Sequence, residues 1–272
     1  MKRLLAVAAI CLLTFSGRGS GQDSGDGRPL VLLDNFYNNE WKTDGRRFPY
    51  HYLWCDTLDS GFSMLGGIIE TLGARIDTLC RAPGSVKLRK AKIFIIVDPD
   101  TPTETEHPRT IDSPEADILA AWVRGGGILL LFGNDRGNAE FEHLNGLAGR
   151  FGIHFNEDSR NHVSGKDYEA GAFTNLPSHP LFAGVRKIYL KEISTLSLLL
   201  PAQPLLRESG DVIIAEARFG KGLVLAVGDP WLYNEYMDHR RLPAGFDNAR
   251  AAKNLFSWLL SRAWTSTQQE GQ

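Results

Sequence analysis

Four short apolar runs dominate what this chain can fold into: PLVLLDN at Pro29 to Asn35, AKIFIIV at Ala91 to Val97, GILLLF at Gly127 to Phe132, and LVLAV at Leu223 to Val227. Each is continuous, short and rich in branched side chains, as expected of strands buried on both faces. Between them lie segments of helical spacing. SGFSMLGGIIETLG stops on Gly73, SPEADILAAWVR opens on Ser113-Pro114, and Asn138 to Gly152 reads as a further helix. Arg75 to Leu79 adds another strand. Strands alternating with helices of this length imply right-handed crossovers and a mostly parallel sheet. The expected fold is therefore α/β, a flavodoxin-like or amidotransferase-like three-layer sandwich.

The second half reads differently. Ile188 to Ile193, Ser194 to Leu200, Asp211 to Phe219 and Leu223 to Val227 read as strands, the last two joined by Gly220-Lys221-Gly222 as a C-terminal antiparallel hairpin. A final helix is expected from Asp247 to Trp264. One domain over residues 29–264 follows, with a polar tail at 265–272.

The first residues carry Lys2-Arg3, an apolar run from Leu4 to Phe15, and Gly19-Ser20-Gly21. This reads as a secretory leader over residues 1–21, too short for a membrane span, and places the chain outside the cell or in the periplasm. Its loss would remove Lys2, Arg3 and Arg18 and no anion, moving the net charge from -2 to -5. An acidic chain without a basic block is a poor nucleic-acid binder. Cys55 and Cys80 lack metal-site spacing; a disulfide and two thiols both remain open.

The apolar runs share one property: each ends on carboxylates or amides. Asp34-Asn35, Asp98-Pro99-Asp100, Gly133-Asn134-Asp135 and Gly228-Asp229-Pro230 are the four exits. In an open parallel sheet these ends share one edge, and ligands bind there. An aspartate at a strand exit is also a common loop cap. Rings accompany the carboxylates. The long connection after the first run holds Trp41 and Trp54 among eight aromatic or imidazole side chains, and Trp231, Tyr233 and Glu235 follow Asp229. Flat apolar faces beside hydrogen-bonding groups suit sugar rings, although some of these rings would also fill a minor core.

A last cluster spans Gly133 to Val163. Gly133-x-Asp135-x-Gly137 follows a strand and precedes a helix, the setting of a nucleophile elbow with Asp in place of Ser or Cys. Asn138, Glu140 and His143 open that helix, and Asn156 and Glu157 lie on the loop beyond it. Asp135 with Glu140 or Asp229 forms the expected acid and base pair. Asp34, Asn35, Trp41, Trp54, Asp98, Asp100, Asn134, Asn138, His143, Asn156, Glu157, Trp231, Tyr233 and Glu235 are the expected substrate contacts.

LLDNFYNNEW, IIVDPDTPTETE, GNDRGNAEFEHLN, GIHFNEDSRNHV, YLKEISTL and GDPWLYNEY together resemble the class I glutamine amidotransferase-like domain attached to the C-terminus of bacterial unsaturated glucuronyl and rhamnogalacturonyl hydrolases. The resemblance covers Leu30 to Trp264 and implies a carbohydrate setting without glutamine amidotransferase activity, because Asp135 stands where a cysteine would. Three functions are expected from the whole reading. They are a secreted enzyme processing acidic, uronate-containing oligosaccharides, a non-catalytic carbohydrate-binding module, and a carboxylate site for Ca²⁺ or Mg²⁺ bridging to a uronate.

Overall fold

A computed structural model describes residues 27–43, 47–237 and 239–269. The main sheet has nine strands: β1 (Leu30–Asp34), β2 (Arg75–Leu79), β3 (Ile93–Val97), β4 (Ile128–Phe132), β5 (Ile153–Phe155), β6 (Leu196–Leu198), β7 (Ala202–Glu208), β8 (Asp211–Phe219) and β9 (Gly222–Val227). Their order is β2-β1-β3-β4-β9-β8-β6-β5, with β7 also on β8. The run from β2 to β9 is parallel throughout and has the flavodoxin-like order. The expected hairpin is β8–β9, in register from Ile214 against Val227 to Phe219 against Gly222.

The two faces of the parallel strands feed two separate cores, which explains why β1, β3, β4 and β9 read as continuous apolar runs. Val31, Leu33, Ile95, Leu130 and Leu225 pack with α1 (Ser63–Thr71) and α5 (Asn248–Gln269). Leu32, Phe94, Ile96, Leu131 and Val224 pack with α2 (Val86–Lys90), α3 (Ser113–Arg124) and α4 (Phe141–Ala148). Helices therefore cover both sides of the sheet.

Several boundaries differ from expectation for local reasons. Helix α3 is capped by Asp112, whose side chain accepts from the Glu115 amide in a reciprocal capping box, so Ser113 is already helical. Helix α4 begins at Phe141 because Glu140 is its N-cap. The short helix α2 and strands β5 and β7 are additions. In β7 Pro204 weakens the strand signal, and the strand pairs on one side only, where proline is tolerated. Helix α5 runs to Gln269, so residues 265–269 continue it. The expected leader at residues 1–21 lies outside the described residues. Among the described residues no helix is long and apolar enough to cross a membrane.

Candidate functional site

The four strand exits do lie at one edge of the sheet, but their carboxylates divide between scaffolding and a crevice. Asp34 is scaffold. It is buried, and its oxygens accept the backbone N–H groups of Phe36, Tyr37 and Asn38 at 3.2, 3.0 and 3.0 Å. Those bonds fold the start of the long connection over the end of β1. Asn38 Nδ2 then donates to the Asp98 carbonyl at 2.8 Å, tying the β1 and β3 exits together. Asp100 does similar work, accepting from the Asn39 amide at 3.0 Å and the Thr105 hydroxyl at 2.5 Å. Asn35 donates to the Asn38 carbonyl at 3.2 Å.

Asp98 is different. It stands at the end of β3 with φ +46°, a left-handed conformation that a non-glycine residue adopts at a cost of about 1 kcal/mol or more. Its side chain is 2% exposed. Oδ2 accepts from Asn134 Nδ2 at 3.0 Å, while Oδ1 is buried without a hydrogen-bond partner. Burial, then the charge of Glu104, pushes the Asp98 pKa well above the usual carboxylate range, and the neighbouring Asn134 and Tyr52 only partly oppose this.

Asp229 follows β9, two strands along from β3. Its oxygens accept from the Trp231 amide at 2.7 Å and the Lys191 amide at 2.6 Å. Burial nonetheless raises its pKa to about 7, against those two bonds. Pro230 follows, and Trp231 and Leu232 both take positive φ, so the chain reverses over the carboxyl.

Asp98 and Asp229 line a polar crevice of about 260 Å³ with Asn134, Asn138, Tyr233 and Glu235. Its remaining wall comes from His51, Tyr52, Ser60, Glu104, Lys191, Glu192 and Pro230. Burial raises Glu104 and Glu235 as well, and holds Tyr52 and Tyr233 neutral. Two lining side chains are engaged by acids: Lys191 Nζ is 2.6 Å from Glu192, and His51 Nδ1 is 2.6 Å from Glu40. Glu235 in turn bridges Arg241 Nε at 3.0 Å, so Asp98, Glu104 and Asp229 are the lining carboxyls with no cation bridged to them among the described residues.

The other expected residues lie outside this lining. Asp135 accepts from Asn138 Nδ2 at 2.6 Å and from Ser159 Oγ at 2.5 Å, and so fastens the 156–160 loop. The left-handed residue that an elbow requires is Asp98, at the end of β3, and not Asp135. Glu140 caps α4 and binds the His143 ring at 2.9 Å. Glu140, Glu142 and His143 are the one group of three potential metal ligands close together among the described residues, on the half-exposed start of α4. Asn156 bonds Thr195 and Ser197, and the Glu157 amide donates to Ser194. Trp231 is 1% exposed and belongs to the core, so it offers no stacking surface. Trp54 donates to the Asp77 carbonyl at 3.0 Å and packs on Gly66. Trp41 is exposed, its indole on Asn39. Cys55 and Cys80 are exposed and unbridged.

His51 and Tyr52 come from the ring-bearing connection expected at the crevice, whereas Glu104, Lys191 and Glu192 join the site without being expected there. Their one signal is that VDPDTPTETE and YLKEIS place acids just after strands, as the recognised exits do.

No protein-family model and no curated protein matches the chain. Among solved structures it is similar to the mmIFT52 N-terminal domain at 18% identity and TM-score 0.62, covering 85% of this chain and 96% of that one. It is also similar to the cytoplasmic protein STM1381 from Salmonella typhimurium LT2, at 13% identity and TM-score 0.56, covering 85% and 99%. A GMP synthase component from Thermoplasma acidophilum aligns at 9% identity and TM-score 0.49 over 90% of this chain and 98% of that one. The first two likenesses speak to the fold alone.

Proposed function

We propose that this is a carbohydrate-active protein whose crevice at the carboxyl edge of the sheet binds a small polyhydroxylated ligand and can move a proton at neutral pH. The observation that carries the reading is Asp98 Oδ1, a buried acceptor without a partner in the lining of an open polar crevice. An unmade hydrogen bond on a buried group costs about 1–3 kcal/mol, and a left-handed backbone adds to that. A scaffold that retains both at a crevice wall is arranged for an incoming donor. Hydroxyls supply donors and acceptors together, and the crevice offers both: Asn134, Asn138, Ser60, Tyr52 and Tyr233 beside the carboxyls.

Asp229 is the group suited to acid–base work. A carboxyl with a pKa near 7 can give or take a proton at neutral pH, whereas an ordinary one holds none. In glycoside processing it would protonate the departing oxygen or draw a proton from water. Asp98 then holds the ligand and Asp229 transfers the proton. This replaces Asp135 and Glu140, whose oxygens fasten a loop and a helix end.

A ligand bearing a uronate fits this crevice less well than the sequence suggests. A uronate carboxylate brings no donor to the lining carboxyls, and Lys191 is already bridged to Glu192.

The test is ligand-observed NMR with a panel of neutral, acidic and amino monosaccharides and short oligosaccharides. Binding to the unmodified protein, lost in Asp98→Asn and retained without turnover in Asp229→Asn, is the expected result. Binding unaffected by Asp98→Asn, or no binding at all, overturns the proposal.

A further inference from the structure

Deepening that reading, and resting on it, we infer that the crevice selects a ligand carrying a protonated amine, as on an amino sugar, with the ammonium seated on Asp98 Oδ1. Asp98, Glu104, Glu192, Asp229 and Glu235 all line one space of about 260 Å³. Three of them, Asp98, Glu104 and Asp229, have no cation bridged to them among the described residues, whereas Glu235 bridges Arg241 at 3.0 Å. Lys191 is committed to Glu192 at 2.6 Å, and His51 to Glu40 at 2.6 Å.

A second observation is independent of the charge count. Asp98 is 2% exposed, its Oδ1 has no hydrogen-bond partner, and the residue faces the crevice. That oxygen can accept one bond from any donor. An ammonium brings three donors and a charge, and charge-assisted bonds are roughly twice as strong as neutral ones. Two rings complete the seat. Tyr52 and Tyr233 line the same space, their rings edge to face with centroids 6.0 Å apart. A hydroxyl would satisfy Oδ1 without bringing a charge; a ligand carboxylate has no donor to offer it.

The amine must sit on something that fills the remaining volume, and a single sugar ring does so while pairing Asn134, Asn138 and Ser60 with its hydroxyls. A bare divalent cation is the competing occupant. Among the described residues, however, no three potential metal ligands of this crevice lie close together; the one such group is at Glu140, Glu142 and His143.

The experiment is isothermal titration of the full chain with glucosamine, glucose, N-acetylglucosamine, glucuronate and calcium chloride, each alone and at one pH. Glucosamine is expected to bind about tenfold tighter than glucose, N-acetylglucosamine to match glucose, and glucuronate to be the weakest. Glu104→Gln, at the half-buried rim, should shrink the advantage of glucosamine over glucose to about threefold. This variant keeps the acceptor for Thr101, so it tests the charge without disturbing the fold. Equal affinity for glucose and glucosamine overturns the amine inference and leaves the carbohydrate reading standing. No binding of any sugar overturns both. Calcium binding with no response to amines also overturns the inference.

Discussion

Asn134 and Asp98 meet across the ends of neighbouring parallel strands, with Asn134 Nδ2 donating to Asp98 Oδ2 at 3.0 Å. The bond occupies one oxygen and leaves the other buried without a partner. Asn134 Oδ1 meanwhile accepts the Asp135 amide at 2.9 Å, so the amide group cannot swing away. Asn134→Ala removes both bonds. Ligand affinity should fall by about tenfold and stability by about 1–2 kcal/mol, measured by titration and urea unfolding. An unchanged affinity would mean that Asn134 does not set the carboxyl.

Asn234 holds the opposite wall. Its Oδ1 accepts the Met64 amide at 3.0 Å, and its Nδ2 serves the carbonyls of Asp56 and Leu58 and the Ser63 hydroxyl at 3.0, 2.8 and 3.0 Å. The residue is fully buried. Asn234→Ala should cost about 3 kcal/mol in chemical denaturation, because several buried groups lose their partner at once. It should also loosen the connection that carries Tyr52 and Ser60, detectable as faster amide exchange there. A loss below about 0.5 kcal/mol would count against the clamp.

Trp231 fills the core behind Asp229. Trp231→Ala is expected to destabilise the fold by about 3–5 kcal/mol, the usual cost of emptying a large aromatic site. The opposite pattern, weaker binding at full stability, would show an indole on the crevice surface.

Stability should depend on pH with an unusual sign. Burial raises Asp34 and Asp229 from 3.8 to about 7. The folded state therefore holds these protons more tightly than the unfolded chain does. Their contribution is fully present below about pH 4, is lost as pH rises toward 7, and is constant above. The urea midpoint should fall between about pH 4.5 and 7 and then level off. A midpoint that climbs across this window would contradict the protonation assigned to these two carboxyls.

Much of the frame is legible in the sequence because the parallel strands are buried on both faces. LVLL and ILLLF have no polar position to confuse their reading, and their exits at Asp34 and Asn134 follow directly. The choice among aspartates is not legible. Asp98 and Asp135 both follow strands, but only the left-handed backbone at Asp98 sets its carboxyl in the crevice lining, and φ is fixed by tertiary packing. Trp231 reads as a stacking surface. Positive φ at Trp231 and Leu232 reverses the chain and turns the indole inward. His51, Tyr52, Lys191 and Glu192 reach the site from loops far away in sequence, a convergence that no local pattern encodes.

The most direct test of the crevice is where the protein responds to a ligand. In a ¹⁵N amide titration with glucosamine, shifts should concentrate at Asp98, Asn134, Lys191, Asp229 and Tyr233, with Glu140 and His143 silent. Shifts centred on Glu140 to His143, or on the far sheet edge at Arg75 and Lys87, would contradict a ligand site at Asp98.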